Sequence, residues 1–360
     1  MKKKSKKLHP VKSLQGKFNR VKFPSELRLD LASNDWVVIA TGRARKPETF
    51  KAEKRRKSRD SKKGCPFCQI SAQEKPTLIF RKDRRLPFNG WDSVPKDWTI
   101  IVVPNKYPAF LPYPKLNKSS EGTIYQKINA AGFHEVVVTH NHKKHMGQFS
   151  VEQVKEVFDA YQARYIDLME KKFVNYISIF HNHGSEAGAS IAHPHSQIIT
   201  TPLIDVDLKK ALSRSQSYYQ TKKECIYCRM NKWEKKVKRR IVFENKDFLV
   251  VCPFASKTAF QVIISPKKHL AYFETVEREE KWNLAEAFQT ALSKIYKGLN
   301  NPDYNFYLHT APCDGLNHDY YHWHWTILPK TGIWAGFEIG TRMEISTIEP
   351  EKAAEYLRRQ

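Results

Sequence analysis

The sequence predicts an α+β protein of two similar domains, each an antiparallel sheet with packed helices. Three observations support this fold class. Apolar residues make up 41% of the 360 residues, which is enough for a substantial core. Two long segments with helical spacing are bordered by strand-like segments, without the regular strand–helix alternation of a parallel sheet. The same order of motifs also occurs twice: a Cys-x-x-Cys pair, strands, one long helix, a strand and a His-x-His pair.

The first unit opens with strands. Residues 27–50 read as a strand pair followed by a basic turn, and Cys65 and Cys68 form the first Cys-x-x-Cys pair. Apolar runs rich in β-branched residues predict strands at 99–103 and 135–139.

A long helix follows in the same unit. It begins at Ser150, because Ser150 and Gln153 have the spacing of a capping box. Strands are then predicted at 176–180 and 192–200. The helix has one apolar face, whose spacing indicates core packing: Val154, Val157, Phe158, Tyr161, Tyr165 and Leu168.

The second unit repeats this order, starting from Cys225 and Cys228. Its predicted strands lie at 248–252, 260–265, 305–309 and 322–328. Its predicted helix has an apolar face made of Leu284, Phe288, Leu292, Ile295 and Leu299.

The net charge is +25, and the basic residues crowd into three runs at 1–22, 51–63 and 222–240. Such runs are typical of solvated tails and loops, of polyanion contact, or of a field that attracts phosphorylated small molecules. The run at 51–63 has no interleaved aromatic residues on which bases would stack. No apolar run approaches the roughly 18 residues of a membrane helix, and no apolar segment follows the basic N-terminus as in a secretory signal. We therefore expect a cytoplasmic protein.

The segment His193-Pro194-His195-Ser196-Gln197 is the main candidate for chemistry. Alternate side chains of an extended chain share a face, so both imidazoles and the Gln197 amide lie together. A neutral imidazole can attack phosphorus if an acceptor holds the proton on its other nitrogen. The preceding loop, 182–190, is rich in glycine and serine, and its backbone N–H groups could hold phosphate oxygens. The alternative is a set of ordinary polar histidines.

This segment, with Phe180-His181-Asn182 before it, resembles the active-site segment of galactose-1-phosphate uridylyltransferases, a family of the histidine-triad superfamily. Three further stretches agree in order, at 36–47, 103–108 and 335–341. The resemblance runs from about residue 27 to the C-terminus and implies two repeated histidine-triad-like domains.

The resemblance implies a double displacement. His195 attacks the α-phosphorus of UDP-glucose and releases glucose 1-phosphate, and the uridylyl group then passes to galactose 1-phosphate to give UDP-galactose. Gln197 stands where the hydrolases of the superfamily carry a third histidine, and it is implied to steady the phosphoryl oxygens. The residues implied to bind the nucleotide or its phosphates are Arg43, Asn105, Asn182, Gly188 and Ser190, with Gln197. Those implied to meet the hexose are Phe337 and Glu338.

The two Cys-x-x-Cys pairs indicate metal or redox sites in a reducing compartment. Neither pair is followed by a clear helical pattern, which disfavours a redox motif. The pairs could share one all-cysteine zinc site, but the repeat favours one site in each half. The resemblance implies two zinc sites in each chain. His140 and His145 lie close enough in sequence to compete for the first site, and the resemblance favours His142. The implied ligands are Cys65, Cys68, His142 and His193 in the first site, and Cys225, Cys228, His269 and His322 in the second.

These inferences divide the chain into a basic disordered tail at 1–26, a catalytic domain at 27–205 and a C-terminal domain at 206–360. The last has a degenerate active site, because Thr326 stands where the first unit has glutamine. The resemblance also implies a homodimer that acts on a sugar nucleotide and a hexose 1-phosphate. The composition indicates no membrane partner, and a nucleic-acid partner is the less favoured reading of the charge. Two alternatives stay open: a phosphorylase of ADP-glucose or another nucleoside diphosphate sugar, and a zinc-stabilised nucleic-acid-binding protein.

Overall fold

The computed structural model describes residues 25–41, 46–51 and 62–360. The predicted tail at 1–26 therefore lies almost wholly outside the described residues, as do Arg43 and most of the basic run at 51–63.

The described residues form sixteen strands and six α-helices. The strands are β1 Glu26–Leu29, β2 Trp36–Ile39, β3 Leu78–Arg81, β4 Arg84–Arg85, β5 Ile100–Pro104, β6 Lys118–Glu121, β7 Tyr125–Ile128, β8 His134–Thr139, β9 Tyr176–His183, β10 His195–Thr201, β11 Ile241–Glu244, β12 Phe248–Val251, β13 Val262–Pro266, β14 Tyr304–His309, β15 His324–Pro329 and β16 Ile345–Ser346. The helices are α1 Val151–Met169, α2 Val206–Lys222, α3 Ile226–Val237, α4 Arg278–Gly298, α5 Gly336–Thr341 and α6 Pro350–Arg358.

Eleven strands form one antiparallel sheet in the order β11-β12-β13-β15-β14-β9-β10-β8-β5-β3-β4. The α+β class is confirmed. We predicted a separate sheet for each half of the chain; the structure instead joins the strands of both halves through the pair β9–β14. This pairing satisfies backbone groups that two separate sheets would each leave unpaired at an edge. Strands β1, β2 and β16 form a small second sheet, and β6 and β7 form a hairpin.

The two long helices lie where the apolar spacing predicts them. The capping box is present, with the Ser150 hydroxyl accepting the Gln153 N–H and the Gln153 side chain accepting the Ser150 N–H. Helices α1 and α4 pack on each other and on the sheet, with Phe158 and Phe288 ring centroids 5.2 Å apart. All six residues of the predicted α1 face are buried.

Helix α1 occupies the face of the sheet to which Ser196 points, since the Tyr161 hydroxyl lies 2.6 Å from the Ser196 Oγ. Side chains of β10 alternate, so His195 and Gln197 point to the opposite face. That face is covered near β5 and β8 by the segment of Cys65 and Phe67, which joins a separate apolar cluster. The topology thereby brings the first Cys-x-x-Cys pair over the strand that carries His195.

Residues around the second Cys-x-x-Cys pair are helical in α2 and α3, contrary to our prediction that no helix follows this pair. Cys225 is the N-cap of α3 and Cys228 lies in its first turn. Helices α2 and α3 carry few buried residues and a largely polar surface, so their apolar stripes are too sparse to reveal them. A Cys-x-x-Cys pair at a helix start also suits a redox motif, so the neighbours of the thiols decide the role of this pair.

Candidate active site and metal centres

The first Cys-x-x-Cys pair meets two histidines. The Cys68 Sγ lies 3.2 Å from the His142 Nδ1 and 3.6 Å from the His193 Nδ1. The Cys65 Sγ lies 3.6 Å from the same His193 nitrogen, and the two Nδ1 atoms are 3.2 Å apart. All four ligand atoms therefore lie within 4.8 Å of one another.

The second pair forms a matching group. The Cys228 Sγ lies 3.4 Å from the His269 Nδ1 and 3.5 Å from the His322 Nδ1, and Cys225 completes the set within 4.8 Å. A hydrogen bond from the Cys228 thiol holds the pKa of Cys225 far below its usual value, which favours a thiolate at this position. Each pair is thus completed by two histidines, and the geometry excludes one site shared by all four cysteines.

The neighbouring histidines lie elsewhere. His140 packs edge-on against Trp98, with ring centroids 4.6 Å apart. His145 packs against His183 at 4.6 Å. His142, the residue preferred from the resemblance, is the one that joins the cysteine group.

Both groups have the spacing of a tetrahedral zinc site. With usual zinc bond lengths, two nitrogen ligands lie about 3.3 Å apart and a sulfur and a nitrogen about 3.6 Å apart. The observed separations are 3.2 Å for the two nitrogens and 3.2–3.6 Å for sulfur and nitrogen. The residues present could therefore each hold a metal ion of the zinc type.

Backbone carbonyls fix three of the four histidines with the bare nitrogen toward the group. His193 Nε2–H donates to the Thr139 carbonyl at 2.7 Å, and His322 Nε2–H donates to the Pro266 carbonyl at 3.0 Å. His269 Nε2–H donates to the Asp319 carbonyl at 2.6 Å. Burial also lowers the pKa of His193 to about 4, so its Nδ1 stays unprotonated at neutral pH. Nitrogen lone pairs and sulfur atoms therefore converge on one point in each group, which is the observation that favours a bound metal.

His195 begins β10, two residues after His193. Its Nδ1–H donates to the His193 carbonyl at 2.8 Å, which leaves the lone pair on Nε2. Burial lowers the pKa of His195, so the ring is neutral at pH 7. The Phe67 ring packs against it at 4.9 Å and limits its rotation. This arrangement provides an oriented, unprotonated nitrogen suited to nucleophilic attack.

Gln197 and Asn105 meet at a third residue, His134. The His134 Nε2 lies 2.8 Å from the Gln197 Oε1 and 3.0 Å from the Asn105 Nδ2. The Ala109 N–H donates to His134 Nδ1 at 3.1 Å. The structure therefore brings Asn105, from the end of β5, together with Gln197, from β10.

The loop after β9 carries the next predicted residues. The Asn182 Oδ1 accepts a hydrogen bond from the Asn305 Nδ2 at 2.8 Å, across the pair β9–β14. Gly188 has a φ of +84°, a left-handed conformation that favours glycine. A Cβ at Gly188 would contact the Asn182 amide at 3.9 Å, so the loop folds back over Asn182. Ser190 is exposed in the same loop.

The predicted hexose residues stand apart from these contacts. Phe337 and Glu338 lie in α5, and Phe337 is 49% exposed. The Glu338 carboxylate accepts the Ala335 N–H at 3.0 Å, so it caps its own helix. Arg43 lies outside the described residues.

The second half holds a counterpart to His195. His324 Nδ1 lies 3.2 Å from the His322 carbonyl, as His195 does from the His193 carbonyl. The His324 ring, however, is buried and stacks on His309 with centroids 4.6 Å apart. Thr326 occupies the position that matches Gln197. The burial and stacking of His324 explain why only the first half presents an accessible imidazole of this kind.

Sequence reasoning missed two site residues, Phe67 and His134. Phe67 lies inside the Cys-x-x-Cys pair and reads as a core residue. His134 precedes a strand of valines and reads as a polar strand end, although alternation places it on the same face as Val136 and Val138. In the part of the chain that the structure covers, no helix has the length and apolar character needed to cross a bilayer.

Comparison with known proteins adds to this geometry. The family model described as "Galactose-1-phosphate uridyl transferase, N-terminal domain" matches residues 17–205. The chain is 30% identical to an ADP-glucose phosphorylase of Arabidopsis thaliana, over 92% of each protein. It is 26% identical to a galactose-1-phosphate uridylyltransferase of Thermotoga maritima, over 92% of this chain and 98% of that protein. A crystal structure of an Arabidopsis thaliana ADP-glucose phosphorylase with bound ADP-glucose superposes with a TM-score of 0.75 at 28% identity, covering 94% of this chain and 99% of that chain.

Proposed function

Since the chain belongs to the galactose-1-phosphate uridylyltransferase family, a family of nucleotidyltransferases, we propose that it moves a nucleotidyl group from a sugar nucleotide to a phosphate-bearing acceptor through His195. One observation carries the proposal. The proton of His195 is held on Nδ1 by the His193 carbonyl, so the nucleophilic lone pair sits on Nε2.

The first step forms a bond between the His195 Nε2 and the α-phosphorus. The bond from that phosphorus to the bridging oxygen breaks, and the sugar 1-phosphate leaves with the electron pair. The proton stays on Nδ1, and the His193 carbonyl stabilises the charge that develops on the ring. In the second step an oxygen of the acceptor phosphate attacks the same phosphorus, and the electrons of the N–P bond return to the ring.

Amide and backbone donors would stabilise the negative charge on the phosphoryl oxygens during both steps. We assign this role to Gln197, with Asn105, Asn182, Gly188 and Ser190 around the same strand ends and loop. Arg43 is assigned to the nucleotide, and Phe337 and Glu338 to the hexose, from the family resemblance.

We propose zinc at both groups of two cysteines and two histidines. When bound there, zinc fixes its four ligands as a closed structural ion. In the first group this rigidity reaches the active site, because the ligand His193 supplies the carbonyl that orients His195. The second group holds His322 in the same way beside the buried His324, which supports a structural role for the C-terminal half.

For the finer activity we propose UDP-glucose as the donor and galactose 1-phosphate as the acceptor. The support is the active-site segment 193–197 and the likeness to the Thermotoga maritima uridylyltransferase along nearly the whole chain. We further propose a catalytic domain at 27–205, a degenerate repeat at 206–360, a homodimer and a cytoplasmic location.

A second candidate is the phosphorolysis of ADP-glucose, with adenylyl transfer to inorganic phosphate. It is favoured by the 30% identity to the Arabidopsis thaliana ADP-glucose phosphorylase and by the TM-score of 0.75 to such an enzyme with ADP-glucose bound. The chemistry at His195 is the same in both candidates; the base and the acceptor differ.

Trapping the covalent intermediate tests the proposal and separates the candidates. The protein is mixed with UDP-glucose or ADP-glucose labelled in the α-phosphate, and the quenched adduct is located by mass spectrometry. A uridylyl group on His195 supports the first candidate, and an adenylyl group alone supports the second. No adduct with either donor, or an adduct that persists in His195→Ala, would contradict the shared chemistry. His140→Ala is the matched control, because His140 is an exposed histidine outside the metal group.

A further inference from the structure

The His134 ring lies against the side-chain amides of Asn105 and Gln197, to which we assign phosphate binding. It is the first residue of β8, and β8 pairs with β5 on one side and with β10 on the other. Its carbonyl accepts the Asn105 N–H at 2.8 Å, and its ring reaches the side chains of both Asn105 and Gln197. One imidazole therefore touches the two neighbouring strands at the point where each brings an amide to the site.

The contacts of the ring define its tautomer. A backbone N–H can only donate, so the His134 Nδ1 that receives the Ala109 N–H carries a lone pair. The proton of the neutral ring is then on Nε2. Burial lowers the pKa of His134, which keeps the ring neutral at pH 7. The Nε2–H donates to the Gln197 Oε1 at 2.8 Å.

This tautomer sets the direction of the Gln197 amide, whereas the Tyr107 N–H sets that of Asn105. With its oxygen held by His134, Gln197 turns its two N–H donors away from the ring. The Asn105 Oδ1 accepts the Tyr107 N–H at 2.9 Å, so the Asn105 Nδ2 is the atom that faces the His134 Nε2–H. Two donors cannot bond to each other, so the N–H groups of Asn105 also need an acceptor elsewhere. A phosphate oxygen is such an acceptor.

We propose that His134 is a positioning residue that fixes the amide of Gln197 with its N–H donors toward the phosphates of the sugar nucleotide. The proposal rests on the proposed nucleotidyl transfer. It assigns His134 no contact with the reacting atoms, since His134 acts through Gln197.

Two substitutions separate the two hydrogen bonds of the His134 ring, one with the Ala109 N–H and one with Gln197. In His134→Asn the shorter side chain reaches the place of Nδ1 and can accept the Ala109 N–H, but it leaves Gln197 without a donor. In His134→Gln the side-chain N–H reaches the place of Nε2 and can donate to Gln197. The rate of adduct formation, measured in single turnovers with the labelled sugar nucleotide, is expected to fall about 10- to 100-fold in His134→Asn. It is expected to stay within about three-fold of wild type in His134→Gln.

A double-mutant cycle with Gln197→Ala gives a readout that a purely structural role would not move. If His134 acts through Gln197, adding His134→Asn to Gln197→Ala slows adduct formation by only about three-fold more. If His134→Asn slows adduct formation by the same factor in wild type and in Gln197→Ala, the proposal is overturned. A His134→Gln variant that is as slow as His134→Asn would overturn it as well. A wild-type protein that forms no adduct overturns the proposed function itself, and this inference with it.

The tautomer is also measurable without any turnover. Long-range proton–nitrogen NMR spectra of the whole protein distinguish the two neutral tautomers of a histidine, and the spectrum of His134→Gln identifies the signal. We expect an Nε2–H tautomer for His134. An Nδ1–H tautomer would overturn the inference even if His134→Asn failed to fold.

Discussion

Breaking the first metal group should slow catalysis far more than breaking the second. The matched pair of variants is Cys68→Ser and Cys228→Ser, since each removes the second thiol of a Cys-x-x-Cys pair. Each is expected to lower the metal content from two ions to one, because each chain has two separate groups of ligands. Their effects on adduct formation should differ, because only the first group is connected to an accessible imidazole.

The magnitude follows from two contacts. His193, a member of the first group, supplies the carbonyl that accepts the His195 Nδ1–H at 2.8 Å, and Phe67, between the two cysteines, packs on the His195 ring at 4.9 Å. Loss of such orienting contacts usually costs about 10- to 100-fold in activity, so Cys68→Ser should slow adduct formation by that factor. Cys228→Ser should change the rate of the folded protein by less than about three-fold, because His324 is buried against His309.

The assay combines elemental analysis with rapid-quench measurement of the labelled adduct, normalised to the folded fraction from circular dichroism. Equal slowing of adduct formation by the two substitutions would refute the reasoning, because it would mean that both groups affect His195 equally. An unchanged rate in a Cys68→Ser protein that has lost one ion would refute it as well.

Three other perturbations give distinct outcomes. Glu135→Gln removes the carboxylate that binds the buried Arg164 guanidinium through both oxygens at 2.8 Å and leaves Asp167, at 2.7 Å, as its charged partner. Urea titration should show a loss of about 1–3 kcal/mol, whereas the exposed Asp97→Asn control should unfold like wild type. The pKa of His195 is lowered by burial below its usual value of 6.5, so the midpoint of the loss of adduct formation, as the ring gains a proton on acidification, should lie below pH 6.5; a midpoint above pH 6.5 would contradict this. Gly188→Ala forces a residue with a side chain into a left-handed conformation, φ +84°, which should lower the free energy of unfolding by about 1–2 kcal/mol. The KM for the sugar nucleotide should rise. Unchanged stability and KM would show that the loop does not need this conformation.

Local patterns were enough for the parts of the fold that depend on spacing. The capping box at Ser150 and the apolar face after it predicted α1, because both signals lie within a few residues of one another. The alternation in 193–197 likewise predicted that His195 and Gln197 share a face. The joining of both halves through β9 and β14 was not predictable in this way, since it depends on which edges meet in space.

The site shows the same division. The cysteine pairs and the His-x-His pairs have recognisable spacings, so their residues were found. His134 was missed because its importance comes from partners on two other strands, Asn105 and Gln197, rather than from its neighbours in sequence. Helices α2 and α3 were missed because their buried stripes are thin and their surfaces are strongly basic.

The pair β9–β14 has a consequence for how this protein can be divided. A truncated chain ending near residue 205 would keep His195 and the first group of two cysteines and two histidines. It would also expose the amide and carbonyl groups by which β9 bonds to β14, and such an open strand edge promotes aggregation with other copies. Strand β14 from the C-terminal half thus covers the edge of β9, and a shortened protein that keeps β9 would need another strand to pair with it there.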